Sequence, residues 1–360
     1  MVIYHAFCIY GKGWVELEGV AQNGFYRFLP NLISGFRIEM ITLVGGYIYA
    51  FQSLELGRTY KFFPFVWKKV KRLLIPCLFF GTIYYLLFRF RPGISTFHGA
   101  SVRILQGVGH LWFLPLCFGC FVLIWFLDRL TIWLDSKTRF TIPVEALILL
   151  SFLALSIFRP FHLPGIWSRR AHFVVFFYGG YLLRKYRASI LRVFMKKGWI
   201  LLLTVLYFAI VTCRHFFLDK YVLSGVIPRG VGIQLYDTLR FLTPFIGLGA
   251  LYLFVCSIVE RPGFEPRPWI VESSKVCYGV YVYHCFFLMA LYYHIWFFDA
   301  FWERMGWGAY VSIPEWLASM SHPVLATSLL PWLVLAITLP ASYYMTKLTL
   351  RSRFGRMLIG

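Results

Sequence analysis

The chain has 360 residues, of which 59% are hydrophobic and 14% charged, and its formal net charge is +21. A soluble globular domain has roughly 25% charged residues, so this composition excludes an ordinary soluble enzyme, a disordered chain and a collagen-like chain. Most of the 36 Lys and Arg residues fall between apolar runs and not on one basic face. The charge therefore indicates membrane topology rather than nucleic-acid binding.

Apolar runs follow one another along the chain, and most are long enough to cross a bilayer as a helix. A further apolar piece, 1–10, is too short for that at 1.5 Å per residue, and we expect it to be the second half of a truncated first helix. The pattern predicts an all-α polytopic membrane helix bundle of about ten transmembrane spans, forming a single domain over 1–360. The nine full runs are at about 34–52, 73–89, 111–127, 142–158, 171–183, 198–217, 236–258, 275–297 and 329–348.

The loops between these runs alternate in basic charge. One set of five loops holds 22 Lys and Arg residues, and the intervening set holds 12. The positive-inside rule places the richer set in the cytoplasm. We expect a multi-pass protein of the cell inner (plasma) membrane, in contact with membrane lipid, with both termini cytoplasmic. The richer set comprises 58–72, 127–141, 184–197, 259–275 and 347–360.

Ionisable side chains inside apolar runs are costly, which makes them candidates for function. His5 lies in the first apolar piece, where an imidazole either takes a hydroxyl proton as a general base or forms a core hydrogen bond. Arg37 and Glu39 begin the next run. Glu39 either orients a catalytic imidazole or forms an internal ion pair.

A basic run lies at the predicted cytoplasmic start of the third span. Six of the fifteen residues in 58–72 are Lys or Arg. Lys69, Lys71 and Arg72 either bind the phosphates of a cytosolic nucleotide-bearing donor or serve topology and contact anionic lipid headgroups.

Two further groups lie near or within later spans. His110 and Trp112, at the outer start of the fourth span, form either a sugar-stacking platform or an interfacial anchor. Tyr281 and His284 are three residues apart, so they share one helix face. They either line an internal cavity or make a helix–helix hydrogen bond.

Sequence signatures of soluble enzymes are missing from the chain, which has no P-loop, GxSxG, HExxH or dinucleotide fingerprint. Cys117 and Cys120 form a CxxC, but no second pair or nearby His completes a zinc set. We therefore interpret these thiols as packing residues. No metal and no other resident cofactor is predicted.

Five segments, taken in order, resemble motifs of acyltransferase family 3, the integral-membrane acyltransferases that modify surface carbohydrates. They are 2–5, 36–47, 69–76, 109–115 and 278–284, and the fourth, with His110-Leu111-Trp112-Phe113-Leu114, is the closest match. Ile41-Thr42 stands where the family usually has two Phe residues, and Gly45 stands where it has Ser. The family's Arg, eleven residues ahead of the His, would precede Met1.

The resemblance implies transfer of an acyl group, usually acetyl, from cytosolic acyl-CoA to a hydroxyl of an extracytoplasmic or lipid-linked sugar. Acyl-CoA and a carbohydrate acceptor are then the expected partners. Two alternatives stay open: a polytopic transporter or glycan flippase, and an inactive relative of the family. The predicted site consists of His5 and Glu39 for catalysis, Lys69, Lys71 and Arg72 for acyl-CoA, and His110, Trp112, Tyr281 and His284 for the acceptor or cavity.

Overall fold

The computed structural model describes residues 1–10, 24–89, 97–137, 141–158, 172–195, 197–218, 221, 224, 226–292, 305, 319 and 323–360. These residues are almost entirely helical and contain no strand. The structure therefore confirms an all-α polytopic bundle. This architecture follows from the bilayer, because a helix satisfies its own backbone hydrogen bonds where no water is present.

We number the α-helices in chain order. They are α1 (Val2–Phe7), α2 (Gly24–Ser34), α3 (Arg37–Ala50), α4 (Phe62–Lys69), α5 (Ile75–Phe88), α6 (Phe97–Gln106), α7 (Phe113–Lys137), α8 (Thr141–Phe158), α9 (Phe173–Lys185), α10 (Arg187–Phe194), α11 (Lys197–Thr212), α12 (Arg229–Val259), α13 (Pro268–Tyr292), α14 (Pro323–Arg351) and α15 (Arg353–Ile359). Three π-helical turns, at Phe51–Glu55, Val70–Leu74 and Cys213–Leu218, continue α3, join α4 to α5 and extend α11.

Six helical stretches among the described residues are long and apolar enough to cross a membrane. A shorter apolar helix covers Ile142–Ile157. Each of the nine predicted runs overlaps a helix of the described residues, and several helices extend beyond the predicted bounds, while 171 and 293–297 lie outside the described residues. The total of ten spans stays a prediction. The six stretches are Phe62–Phe88, Gly109–Lys137, Gly198–Phe217, Gly230–Val259, Pro268–Tyr292 and Ser328–Arg351.

Two of the shorter helices, α3 and α9, pack closely against each other. Gly46 of α3 lies against the carbonyl of Phe177, and Gly180 of α9 lies against the carbonyl of Leu43, so that a Cβ at either glycine would collide with backbone. Small residues allow such close helix contact in membranes. The glycine pair at 45–46 therefore allows the close packing of α3 against α9.

One end of the bundle carries a chain of polar contacts. Arg184 pairs with Glu55, Arg187 pairs with Glu260, and the Tyr278 hydroxyl donates to the carbonyl of Arg72 over 2.9 Å. Hydrogen bonding to the Glu55 carboxylate raises the pKa of the Arg184 guanidinium. Further contacts run from Lys185 to Asp135, from Lys347 to Glu272 and from the Arg129 guanidinium to the Tyr60 carbonyl. Together they connect all five loops predicted to share one side.

The cytoplasmic orientation of that end is a prediction that labelling tests. Cys213 and Cys277 are the exposed thiols, whereas the other six are buried. With both replaced by alanine, Ser189→Cys is expected to react with a membrane-impermeant maleimide only after the cells are opened. Ser224→Cys, on a segment predicted outside, serves as the matched control and should react in intact cells. Labelling of Ser189→Cys in intact cells would contradict the predicted cytoplasmic orientation of this end.

A buried carboxylate anchors the same end of the bundle. Asp128 of α7 is fully buried and accepts hydrogen bonds from Ser53 at 2.8 Å, Tyr181 at 2.9 Å and Tyr49 at 3.2 Å. Buried polar groups are stable only when they are hydrogen-bonded. Asp128 therefore ties α7 to α9 and to the end of α3.

Replacing Asp128 with alanine is expected to destabilise the protein by on the order of 3 kcal/mol, because it leaves three hydroxyls without their acceptor at about 1–3 kcal/mol each. Thermal unfolding in detergent measures the effect. Asp135→Ala is the matched control, because Asp135 is 47% exposed and its pair with Lys185 contributes at most about 1 kcal/mol. Equal losses for the two variants would contradict the anchoring role.

Candidate functional site

Three buried histidines from distant parts of the chain meet inside the bundle, and we call them the histidine cluster. His5, His110 and His284 are 6%, 7% and 0% exposed. The His5 and His284 rings are nearly parallel and meet edge to edge with their centroids 5.1 Å apart, and the His284 ring is steeply inclined to the His110 ring, also at 5.1 Å. The structure thus brings together three of the predicted site residues.

Local sequence explains how each ring reaches the cluster. His110 lies in a 3₁₀ turn at Gly109–Trp112, which Gly107 and Gly109 permit by adopting φ values of +85° and +59°. His284 follows Tyr281 on one face of α13. His5 is held by α1, whose Ala6 carbonyl accepts a hydrogen bond from the buried Tyr292 hydroxyl.

Carbonyl partners fix the tautomers of the neutral rings. Nδ1 of His284 lies 2.7 Å from the Tyr281 carbonyl and 3.1 Å from that of Val280, and a carbonyl only accepts, so this nitrogen carries the hydrogen. Nε2 of His284 then has the lone pair, and the hydrogen that faces it comes from Nδ1 of His5, 2.9 Å away, or from the thiol of Cys285, 3.3 Å away. When His5 is the donor, its own lone pair is on Nε2, which is the arrangement that a general base requires.

The tautomer of His110 is assigned from its carbonyl partner in the same way. Its Nε2 lies 2.9 Å from the Val282 carbonyl and donates to it, which leaves a lone pair on Nδ1. That Nδ1 is buried and has no hydrogen-bond partner among the described residues. The Tyr281 hydroxyl donates to the backbone carbonyl of His110 over 2.6 Å, so Tyr281 holds the 3₁₀ turn against α13.

Cys285 completes the cluster and was not among the predicted site residues. Its Sγ is fully buried and lies 3.3 Å from both His5 Nδ1 and His284 Nε2. Its sequence signal was its place directly after His284, the last residue of the fifth motif. A thiol next to an oriented imidazole is the arrangement of nucleophilic cysteine enzymes.

Arg37 brings a positive charge to the cluster. Its guanidinium carbon lies 3.4 Å from the centroid of the Tyr4 ring, next to His5 in the chain. The charge is close enough to act on both His5 and Cys285. Nε and Nη1 of Arg37 are buried and have no hydrogen-bond partner among the described residues.

Glu39, predicted to orient His5, has its ion-pair contact elsewhere. Its Oε1 lies 3.7 Å from Nε2 of His172, just before α9. The His172 ring touches Phe173, which in turn packs against Trp112. Glu39 and Trp112 thus belong to a layer built around His172 and Phe173. The orienting role of Glu39 stays a prediction.

The predicted donor residues lie at the polar end of the bundle. Lys71 and Arg72 are exposed, whereas Lys69 turns inward with its Nζ 3.4 Å from the centroid of the Phe121 ring. Tyr278 joins this region to α13 through its bond to the Arg72 carbonyl. Seven residues separate Tyr278 from Cys285, which is about 10 Å along a helix.

The cluster also has the donor types of a metal site. His5, His284 and Cys285 offer ligand atoms within 4.8 Å of one another, a set that zinc takes. The nearby Arg37 guanidinium disfavours a divalent cation, because like charges repel strongly in a water-poor interior. The expectation of no resident metal stays a prediction.

The fold and the cluster define an integral-membrane helical protein with a buried imidazole and thiol centre. Comparison with protein families finds a match over residues 1–347 to the family described as an acyltransferase domain. The chain belongs to this family, acyltransferase family 3, and is a membrane O-acyltransferase. No match is found among curated proteins or solved structures.

Proposed function

We propose that the protein transfers an acyl group, most simply acetyl, from cytosolic acyl-CoA to a hydroxyl of an extracytoplasmic or lipid-linked sugar. The observation that carries this proposal is the hydrogen-bonded pair of His5 and His284. The pair leaves a basic nitrogen on His5 within a buried site of a chain that belongs to an acyltransferase family.

His5 acts as the general base. Its Nε2 takes the proton of the sugar hydroxyl while the oxygen attacks the acyl carbonyl carbon. The positive charge that develops on His5 is stabilised through Nδ1–H, which donates to His284 Nε2 over 2.9 Å. His284 is in turn oriented by backbone carbonyls of α13, so it acts as a positioning residue for the base.

The transition state places negative charge on the acyl oxygen, and Arg37 supplies the opposite charge. Its buried Nε and Nη1 are donors whose hydrogen bonds are not satisfied by described residues. Donors fixed in place before the reaction stabilise such an oxyanion more than mobile ones do. The two unsatisfied donors therefore support a role for Arg37 at the acyl carbonyl.

The donor enters from the polar end of the bundle, where Lys71 and Arg72 meet the phosphates of CoA. The acyl arm then follows the face of α13 from Tyr278 to the histidine cluster, about 10 Å away. The Tyr278 and Tyr281 rings stack with centroids 6.5 Å apart along this face. These residues support an approach of the thioester from the side opposite to the sugar.

The test uses purified full-length protein in lipid nanodiscs with isotope-labelled acetyl-CoA and membrane glycolipids or oligosaccharides. The expected result is labelled O-acetyl sugar, identified by mass spectrometry and removed by mild base. Arg353→Ala replaces an exposed side chain on α15. This variant, purified in the same way, is the matched control and should keep full activity. Counterflow of intact glycan without acetylation would instead support a transporter.

A further inference from the structure

Three atoms from three side chains form a small triangle in the histidine cluster. His5 Nδ1 and His284 Nε2 are 2.9 Å apart, and Cys285 Sγ lies 3.3 Å from each. All three side chains are buried. The thiols of Cys77 and Cys277, by contrast, lie against backbone carbonyls.

The triangle holds one hydrogen in each of two states of the cysteine. When the thiol is free, this hydrogen is on Cys285 Sγ and His5 carries its own hydrogen on Nε2. When the sulfur is acylated, the hydrogen is on His5 Nδ1, which donates to His284 Nε2, and His5 Nε2 has the lone pair because its hydrogen has left with CoA. His284 accepts in both cases because its own Nδ1–H is committed to backbone carbonyls.

Two further observations support the binding of a reacting group here. His110 is 7% exposed, its ring lies 5.1 Å from that of His284, and its Nδ1 has no partner among the described residues. Arg37 brings unsatisfied donors and a charge that acts on Cys285. An acyl group on the thiol would place a carbonyl oxygen within this polar environment.

We propose that Cys285 carries the acyl group as a thioester between the two substrates, an inference that rests on the proposed function. In the first half-reaction the thiol proton moves to His5 Nδ1 and the sulfur attacks the acyl-CoA carbonyl. The bond from Cys285 sulfur to the acyl carbon forms, and the bond to CoA sulfur breaks. The CoA thiolate takes the proton from His5 Nε2 and leaves as the thiol.

The second half-reaction returns every group to its starting state. His5 Nε2 takes the hydroxyl proton of the sugar, the oxygen attacks the thioester carbon, and an ester bond forms as the bond to Cys285 sulfur breaks. The cysteine thiolate takes the proton from His5 Nδ1. No oxidant or reductant is required, and His5 alternates between its two tautomers.

Acyl-enzyme formation is the direct test. The full-length protein in nanodiscs is incubated with acetyl-CoA without acceptor, quenched in acid and analysed by intact-mass and peptide mass spectrometry. We expect one acetyl group on the peptide containing Cys285, removable by neutral hydroxylamine as thioesters are. Cys277→Ala, on the same helix but exposed, is the matched control and should label normally.

A kinetic test separates this proposal from the proposed function. A covalent intermediate predicts exchange of labelled CoA into acetyl-CoA without any acceptor, and parallel lines in double-reciprocal plots. Cys285→Ala and the near-isosteric Cys285→Ser should each lose this exchange and lower sugar acetylation by at least roughly a hundredfold. Unchanged thermal unfolding and CoA binding would show that both variants fold.

The outcomes are distinct. Sugar acetylation within twofold of wild type in Cys285→Ala would overturn the thioester and leave the proposed function standing. Acetylation of Cys285 without transfer to any sugar would support the thioester and overturn the sugar as acceptor. Absence of both label and exchange in the wild-type protein would also overturn the thioester.

Discussion

Replacing His5 with alanine is expected to lower sugar acylation by roughly 10²–10⁴-fold, because the variant lacks the positioned proton acceptor. His5 Nε2 is the basic nitrogen of the pair with His284. The donor residues lie elsewhere, so the variant should still insert into the membrane and bind acyl-CoA. Initial rates with labelled acetyl-CoA and calorimetric CoA binding measure the two effects separately.

Variants of matched shape sharpen this prediction. His5→Gln should stay inactive, because an amide forms hydrogen bonds but does not take the proton. Glu39→Gln should give a smaller defect if Glu39 only orients the base, and none if its role is confined to His172, its partner at 3.7 Å. Full activity of His5→Ala would refute the assignment and direct attention to His110 or His284.

The double variant with Lys71 and Arg72 changed to alanine is expected to raise the apparent KM for acyl-CoA more than tenfold. Charge-assisted hydrogen bonds contribute roughly 1.5–3 kcal/mol each, and less where solvent screens them. Both side chains are exposed, so they are accessible to phosphates. Steady-state kinetics at fixed acceptor concentration measures the change, with kcat little altered.

A charge-matched control separates phosphate binding from topology and lipid contact. Arg267 and Arg353 are also exposed, in two of the loops predicted to be cytoplasmic, and changing both to alanine removes the same charge. That pair should leave the KM for acyl-CoA unchanged. An equal effect of the two double variants would contradict phosphate binding, and so would an unchanged KM after the changes at Lys71 and Arg72. The basic run would then serve membrane topology and contact with anionic lipid.

Much of the architecture could be predicted because the bilayer constrains it. Apolar runs of sufficient length have to be helical in lipid, and each of the nine runs overlaps a helix of the described residues. The motifs around His5, His110 and His284 predicted three rings that the structure brings together. Their contact was beyond sequence reasoning, because it depends on how α1, α13 and the turn before α7 pack.

The omissions have physical reasons. Cys285 looked like any other apolar cysteine, since only the fold places it 3.3 Å from two imidazoles. Asp128 and Glu145 were not among the predicted candidates, and they lie in the predicted loop 127–141 and near the start of the run at 142–158. In the structure α7 continues to Lys137, and the two carboxylates are 0% and 2% exposed.

The distance in sequence between the paired imidazoles has a consequence for biogenesis. His5 and His284 are separated by 279 positions, so the ribosome delivers the base early and its partner only after most of the helices have been synthesised. Long-range contacts of this kind form late in folding. On the proposed mechanism, an incomplete nascent chain holds a histidine without its relay and is not expected to consume acyl-CoA. Catalytic competence is then a property of the fully integrated chain.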